Sequence, residues 1–110
     1  MREFKLTDPL YGADITLLVG GTIEELKKKV GDNDLQQCPG YYLRPSDEYN
    51  APFYVWVESP QMPVLCHELM HLTFGVLKAC GVEPCEESEE AYTYWFENML
   101  EQVEKLRILG

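Results

Sequence analysis

The sequence predicts an α+β domain in which a small mixed sheet of about four strands carries a backing helix, a motif helix and an antiparallel C-terminal helix. Three observations lead there. Short β-prone segments fill the first half of the chain. Two long patterns of helical period fill the second half. A further helical segment lies between the β-prone segments, so a crossover as well as hairpins must join the strands. The chain has 110 residues, 45% hydrophobic and 25% charged. That balance suits one domain, residues 1–110, with one modest core.

Each element has its own signal. Phe4-Lys5-Leu6-Thr7 alternates and reads as a short strand, Asp8-Pro9-Leu10-Tyr11-Gly12 as a turn, and Ala13 to Val19 as a second strand able to pair with the first. Gly20-Gly21 ends it. Thr22-Ile23-Glu24-Glu25 has the form of a capping box, and the helix it opens runs through Leu26 and Val30 to a stop at Gly31. Lys27 to Lys29 are expected to face solvent. Asp32 to Gly40 is loop-like, Tyr41-Tyr42-Leu43 suits a strand, and Pro45 to Pro52 forms another loop. Phe53-Tyr54-Val55-Trp56-Val57, aromatic and β-branched, is the strongest strand signal.

Ser59-Pro60-Gln61-Met62-Pro63 opens the next helix, with serine as the expected cap and prolines near the first turn. It continues from Val64 to about Cys80. Leu65, Leu69, Leu72, Phe74, Val76 and Leu77 make it apolar almost all round, so it is expected to be buried. After a tight turn over Gly81 to Glu87, Ser88 is expected to cap a final helix. Its apolar stripe is Tyr92, Trp95, Phe96, Met99, Val103 and Leu106.

Composition excludes some functions. The net charge of −10 argues against binding nucleic acid through its phosphates. No apolar run reaches the ~18–20 residues that span a bilayer. The N-terminus lacks the apolar core of a signal peptide, which gives a cytosolic expectation. Cys38, Cys66, Cys80 and Cys85 form no C-x-x-C pair and are expected to be buried free thiols, although Cys80 and Cys85 flank a turn and could meet. Between Ala79 and Glu104 lie eight glutamates and no lysine or arginine. A solvated helix face is the ordinary use of such a run; an acidic, DNA-mimicking interaction surface with a structural metal is the competing one.

The chemistry is concentrated in Cys66-His67-Glu68-Leu69-Met70-His71, which holds both histidines of the chain. On a helix, positions i and i+4 share a face, so two imidazoles can grip one zinc ion. Glu68 then lies beside the metal, placed to take a proton from zinc-bound water. A catalytic zinc needs a third protein ligand. No third histidine exists, so that ligand is a carboxylate or a thiolate. The predicted helix hairpin brings Ser88-Glu89-Glu90-Ala91-Tyr92-Thr93 toward one end of the pair. By helical angle Glu89 sits nearer the apolar stripe than Glu90, and Glu97, Cys66 or no third protein ligand also stay open.

These residues resemble the gluzincins, zinc metallopeptidases in which H-E-x-x-H is followed by a ligating glutamate on a downstream helix. The thermolysin-like version reads N-E-A-I-S-D, and Glu89-Glu90-Ala91-Tyr92-Thr93-Tyr94 lines up with it. The resemblance implies a minimal zincin-like fold over roughly residues 15–104, with zinc on His67, His71 and Glu90. It implies Glu68 as general base and a peptide or protein as substrate. Tyr94 replaces an aspartate that supports a zinc histidine in that family, and no downstream histidine is present to stabilise an oxyanion. The chain is also similar to small bacteriophage H-E-x-x-H proteins that pair the motif with a short helix hairpin. That likeness implies the cytoplasm of an infected bacterium.

Overall fold

The β-prone segments form four strands and the periodic segments three helices. The computed structural model describes residues 1–109. Along the chain lie β1 (Arg2–Thr7), β2 (Asp14–Val19), α1 (Ile23–Val30), β3 (Gly40–Leu43), β4 (Phe53–Val57), α2 (Met62–Ala79) and α3 (Glu89–Lys105), with a 3-10 turn over Glu86–Ser88 before α3. The sheet order is β1-β2-β4-β3. β1 and β2 pair antiparallel, β2 and β4 parallel, β4 and β3 antiparallel. The α+β domain with a mixed four-stranded sheet is therefore the fold.

Helices cover both faces of the sheet. Leu17, Val19, Val55 and Val57 pack with Leu65, Leu69, Leu72, Trp95 and Met99 of α2 and α3. On the other face Leu18 and Trp56 pack with Ile23, Leu26 and Val30 of α1. β4 lies between β2 and β3 and is buried on both faces. That explains its unbroken apolar run, since a strand covered on both sides needs no polar alternation. The edge beside α2 is β3, whose four residues are only half-buried.

Caps follow the sequence closely in α1 and less so elsewhere. Thr22 accepts the Glu25 amide proton at 3.2 Å, and Gly31 ends the helix with φ of 74°, the left-handed conformation that favours glycine. α2 begins one turn later than its serine. Gln61 is the residue before the helix, Pro63 sits in the first turn, and the Ser59 carbonyl accepts the Gln61 amide at 2.8 Å. Ser88 does not cap α3 through its side chain. Its hydroxyl accepts the Cys85 amide at 3.0 Å and donates to the Glu83 carbonyl at 2.5 Å, folding the turn instead.

Asp8 ties the first hairpin to α3. Its carboxylate accepts the amides of Leu10, Tyr11 and Ala13 at 2.9–3.0 Å and the Trp95 indole N–H at 2.9 Å. Gln102 adds a second tie, accepting the Thr7 amide at 2.8 Å and donating to the Thr7 carbonyl at 2.7 Å. The Gln102 bonds hold the last residue of β1 against α3. All four cysteines are free. Cys80 and Cys85 are exposed rather than buried, because they sit where α2 ends and the turn begins. Among the described residues no helix is long and apolar enough to cross a membrane.

Candidate metal centre

α2 lies on the sheet with Leu65, Glu68, Leu69, Leu72, Thr73, Val76 and Leu77 buried. Pro63, His67, Met70, His71, Phe74 and Lys78 lie on its outer face. The motif helix is thus buried along one side, but its two histidines are exposed. The expectation of a histidine pair inside the core does not hold. The reason is angular: only about half of an 18-residue helix can face the sheet, and the leucines take that half.

The two imidazoles nonetheless converge. His67 Nε2 and His71 Nε2 stand 3.3 Å apart, with the rings edge to face, 4.9 Å between centroids and 73° between planes. A tetrahedral zinc with bonds of about 2.0–2.1 Å holds neighbouring ligand atoms about 3.3–3.4 Å apart. The pair is therefore already spaced for one ion. Glu68 completes the local group: one potential ligand atom from each of His67, Glu68 and His71 lies within 4.8 Å of the others. This group is able to hold a metal ion.

Glu68 is unlike the histidines beside it. It is 6% exposed. Burial raises its carboxyl above the ordinary carboxylate range, opposed by the neighbouring charges of His67 and His71, and no hydrogen bond contributes. The side chain reaches an open cavity of about 640 Å³ between α2 and the start of β3. His67 and His71 line that cavity too, as do Cys38, Tyr41 and Tyr42.

Two glycines shape this wall. A Cβ on Gly40 would stand 2.9 Å from Val64 Cγ1 and 3.1 Å from Glu68 Cγ, so the bare backbone lets β3 lie against the motif helix. A Cβ on Gly75 would overlap the Tyr42 hydroxyl. A glycine inside a helix costs roughly 1 kcal/mol relative to alanine; here it makes room for the phenol. Burial also pushes the Tyr42 phenol above its ordinary pKa, with the Arg44 charge opposing.

The other side of the pair is an apolar groove between α2 and α3. Met70, Phe74, Tyr92 and Phe96 line it, with Glu89 and Thr93 among them. Phe74 and Tyr92 rings lie 5.2 Å apart. The hairpin is thus antiparallel as expected, but α2 continues two turns beyond His71 before it ends. The first turn of α3 consequently packs beside Phe74 rather than beside the histidines. Glu90 is exposed and is not part of the His67–Glu68–His71 group. It falls on the outer stripe with Tyr94, Glu97 and Glu101, roughly opposite Trp95 and Met99 by helical angle. Glu89 is the α3 carboxylate that lines the groove, as the helical-angle reading favoured. Cys66 places its sulfur 3.4 Å from Met62 Sδ.

Sequence reasoning singled out His67, Glu68 and His71, and the structure brings all three together. It did not single out Cys38, Gly40, Tyr42 or Gly75. The one local signal among these was Gly75, a helix-interior glycine without a local purpose. No family model matches the chain, and neither does any curated protein or solved structure.

Proposed function

We propose that this chain is a zinc-dependent metallopeptidase in which Glu68 moves the proton. The observation that supports the reading best is the convergence of two imidazole nitrogens, 3.3 Å apart, beside a buried carboxylate that no hydrogen bond occupies. Nitrogen donors at that spacing suit zinc. Bound zinc would supply a Lewis acid that polarises a peptide carbonyl and makes water acidic near neutral pH.

The remaining work falls to the chain. His67 and His71, which line the cavity, would hold the ion. Glu68 accepts a proton from attacking water and returns it to the departing amine. Its raised proton affinity suits both halves of that transfer. β3 is the sheet edge that lines the cavity, so an extended substrate would pair with it by strand addition. β4, Phe53 to Val57, is an interior strand with no free edge and cannot take this part. The resemblance to gluzincins points to the same reaction class. No step here is routed through Glu90.

The test is peptide cleavage by the zinc-loaded chain beside Glu68→Gln. Cleavage that chelator abolishes and zinc restores, and that falls about 10²–10⁴-fold in Glu68→Gln, is the expected result. Zinc bound at one per chain with no peptide cleaved would leave a metal-binding fold alone.

One observation favours a second reading, that of a non-enzymatic interaction protein. Glu97, Glu101 and Glu104 are exposed on α3, and the four ion pairs among the described residues all lie elsewhere. Binding to a basic protein that survives His67→Ala and is lost at high salt would support it.

A further inference from the structure

We infer that Arg44 anchors a further binding site, one for a small monocarboxylate with an apolar body. The site is a cavity of about 360 Å³ where the C-terminal end of α2 meets the turn after β1 and the start of β4. It shares no lining residue with the cavity beside the histidines. Ala79, which lines it, comes eight positions after His71, about 12 Å along the helix. The inference therefore stands apart from the zinc reading.

The guanidinium is firmly placed but poorly satisfied. It lies over the Phe53 ring, 4.2 Å from the centroid, an arrangement that leaves its edges for hydrogen bonds. Its Nε is buried and has no hydrogen-bond partner, the one side-chain polar atom of that kind among the described residues. Nη2, on the same edge, reaches the Glu48 carbonyl at 3.5 Å, and that oxygen already accepts the Ala51 amide at 3.0 Å. None of the four ion pairs among the described residues includes Arg44. A buried donor on a cation is costly without an acceptor.

The unsatisfied edge selects the ligand. Nε and Nη2 present two parallel N–H bonds, which a planar carboxylate accepts side by side. Residues 44–52 form neither helix nor strand, so a carboxylate oxygen takes the place of the Glu48 carbonyl without breaking a ladder. Asp14 and Asp47 also line the cavity. Asp14 is held by Lys5 at 3.1 Å, whereas Asp47 has no ion-pair partner among the described residues. That free charge, in a chain of net charge −10, penalises a doubly charged phosphate more than a singly charged carboxylate. Ala13, Ala51, Phe53 and Ala79 give the wall its apolar part, against which the body of the ligand lies.

Cys80 reports on the site, because it is exposed and lines this cavity, while Cys85 is exposed and does not. The intact chain is titrated with phenylacetate, and with phenylethanol, phenethylamine and phenyl phosphate as uncharged, cationic and dianionic counterparts. The alkylation rate of each cysteine is read by peptide mass mapping. Saturating phenylacetate is expected to slow Cys80 by about tenfold, because alkylation then reads the small unliganded fraction, and to leave Cys85 unchanged. It is also expected to move the Arg44 Nε–H magnetic resonance signal downfield and to slow its exchange with water. Arg44→Lys should weaken binding by about tenfold or more, since lysine keeps the charge and lacks the paired edge. The three counterparts should each protect Cys80 less than phenylacetate at equal concentration. The alkylation and resonance arms use the unaltered chain and so do not depend on a variant folding. No protection of Cys80 by millimolar phenylacetate would overturn the inference. Stronger protection by the amine, which would make Asp47 the anchor, or by the phosphate would also overturn it. So would protection that survives Arg44→Lys and Arg44→Gln unchanged. Each of these failures leaves the zinc reading standing, because that reading is tested at His67 and His71.

Discussion

Asp8 and Glu68 are the two buried side-chain carboxylates among the described residues, 7% and 6% exposed, and they are held in opposite ways. Burial pushes the Asp8 carboxyl up, but amide protons of Leu10, Tyr11 and Ala13 and the Trp95 indole outweigh it and hold the group below the ordinary range. Glu68 has the burial without the donors and lies above that range. Equal burial therefore decides little by itself. What separates the two pKa directions is the count of hydrogens aimed at each carboxylate. Asp8 is built to stay charged, joining β1 and β2 to α3. Glu68 faces an open cavity beside two imidazoles, where the proposed function would have it exchange a proton.

The comparison can be broken most sharply at Glu68. Glu68→Gln is expected to lower cleavage by the largest factor in the molecule while leaving the urea midpoint unchanged or slightly higher, because amide replaces an unpartnered acid. A large loss of stability in that variant would make Glu68 a second Asp8. Asp8→Ala should do the reverse. It strands the buried Trp95 N–H and three amides, for an expected cost of about 3–4 kcal/mol in chemical unfolding, with the metal affinity of molecules that remain folded unchanged.

The pH dependence follows from the lowered Asp8 pKa. A depressed folded-state pKa means stability that is fully present above the unfolded value, about 3.9. It is lost as pH falls through the folded pKa. The wild type should therefore show an acid limb below about pH 4 that flattens in Asp8→Asn, measured by unfolding at graded pH.

Smaller effects sharpen the same contrast. Gly40→Ala presses a methyl on Val64 and Glu68 and is expected to cost about 1–3 kcal/mol, with cleavage reduced and zinc stoichiometry retained. Glu90→Ala should be the mildest. An exposed side chain on the outer stripe is expected to change stability by no more than about 0.5 kcal/mol. Calorimetric zinc affinity is then the informative readout: a loss of tenfold or more would add a third carboxylate, one that leaves the surface only when metal is present.

Local rules carried much of this fold. His67 and His71 share a helical face because four residues make about one turn. Thr22 and Gly31 bound α1 through contacts within a few residues, and the strands follow their β-branched and aromatic runs. The sequence by itself therefore determined the elements, their order, and the His67–Glu68–His71 group. Tertiary structure alone decided the rest. It put β4 inside the sheet and β3 at the edge, turned the histidines outward, left Glu89 and Glu90 outside the His67–Glu68–His71 group, and joined Asp8 to Trp95 across 87 positions. Each of these depends on which apolar faces bury against which others across the whole chain, and periodicity within one segment has no information about a partner that distant.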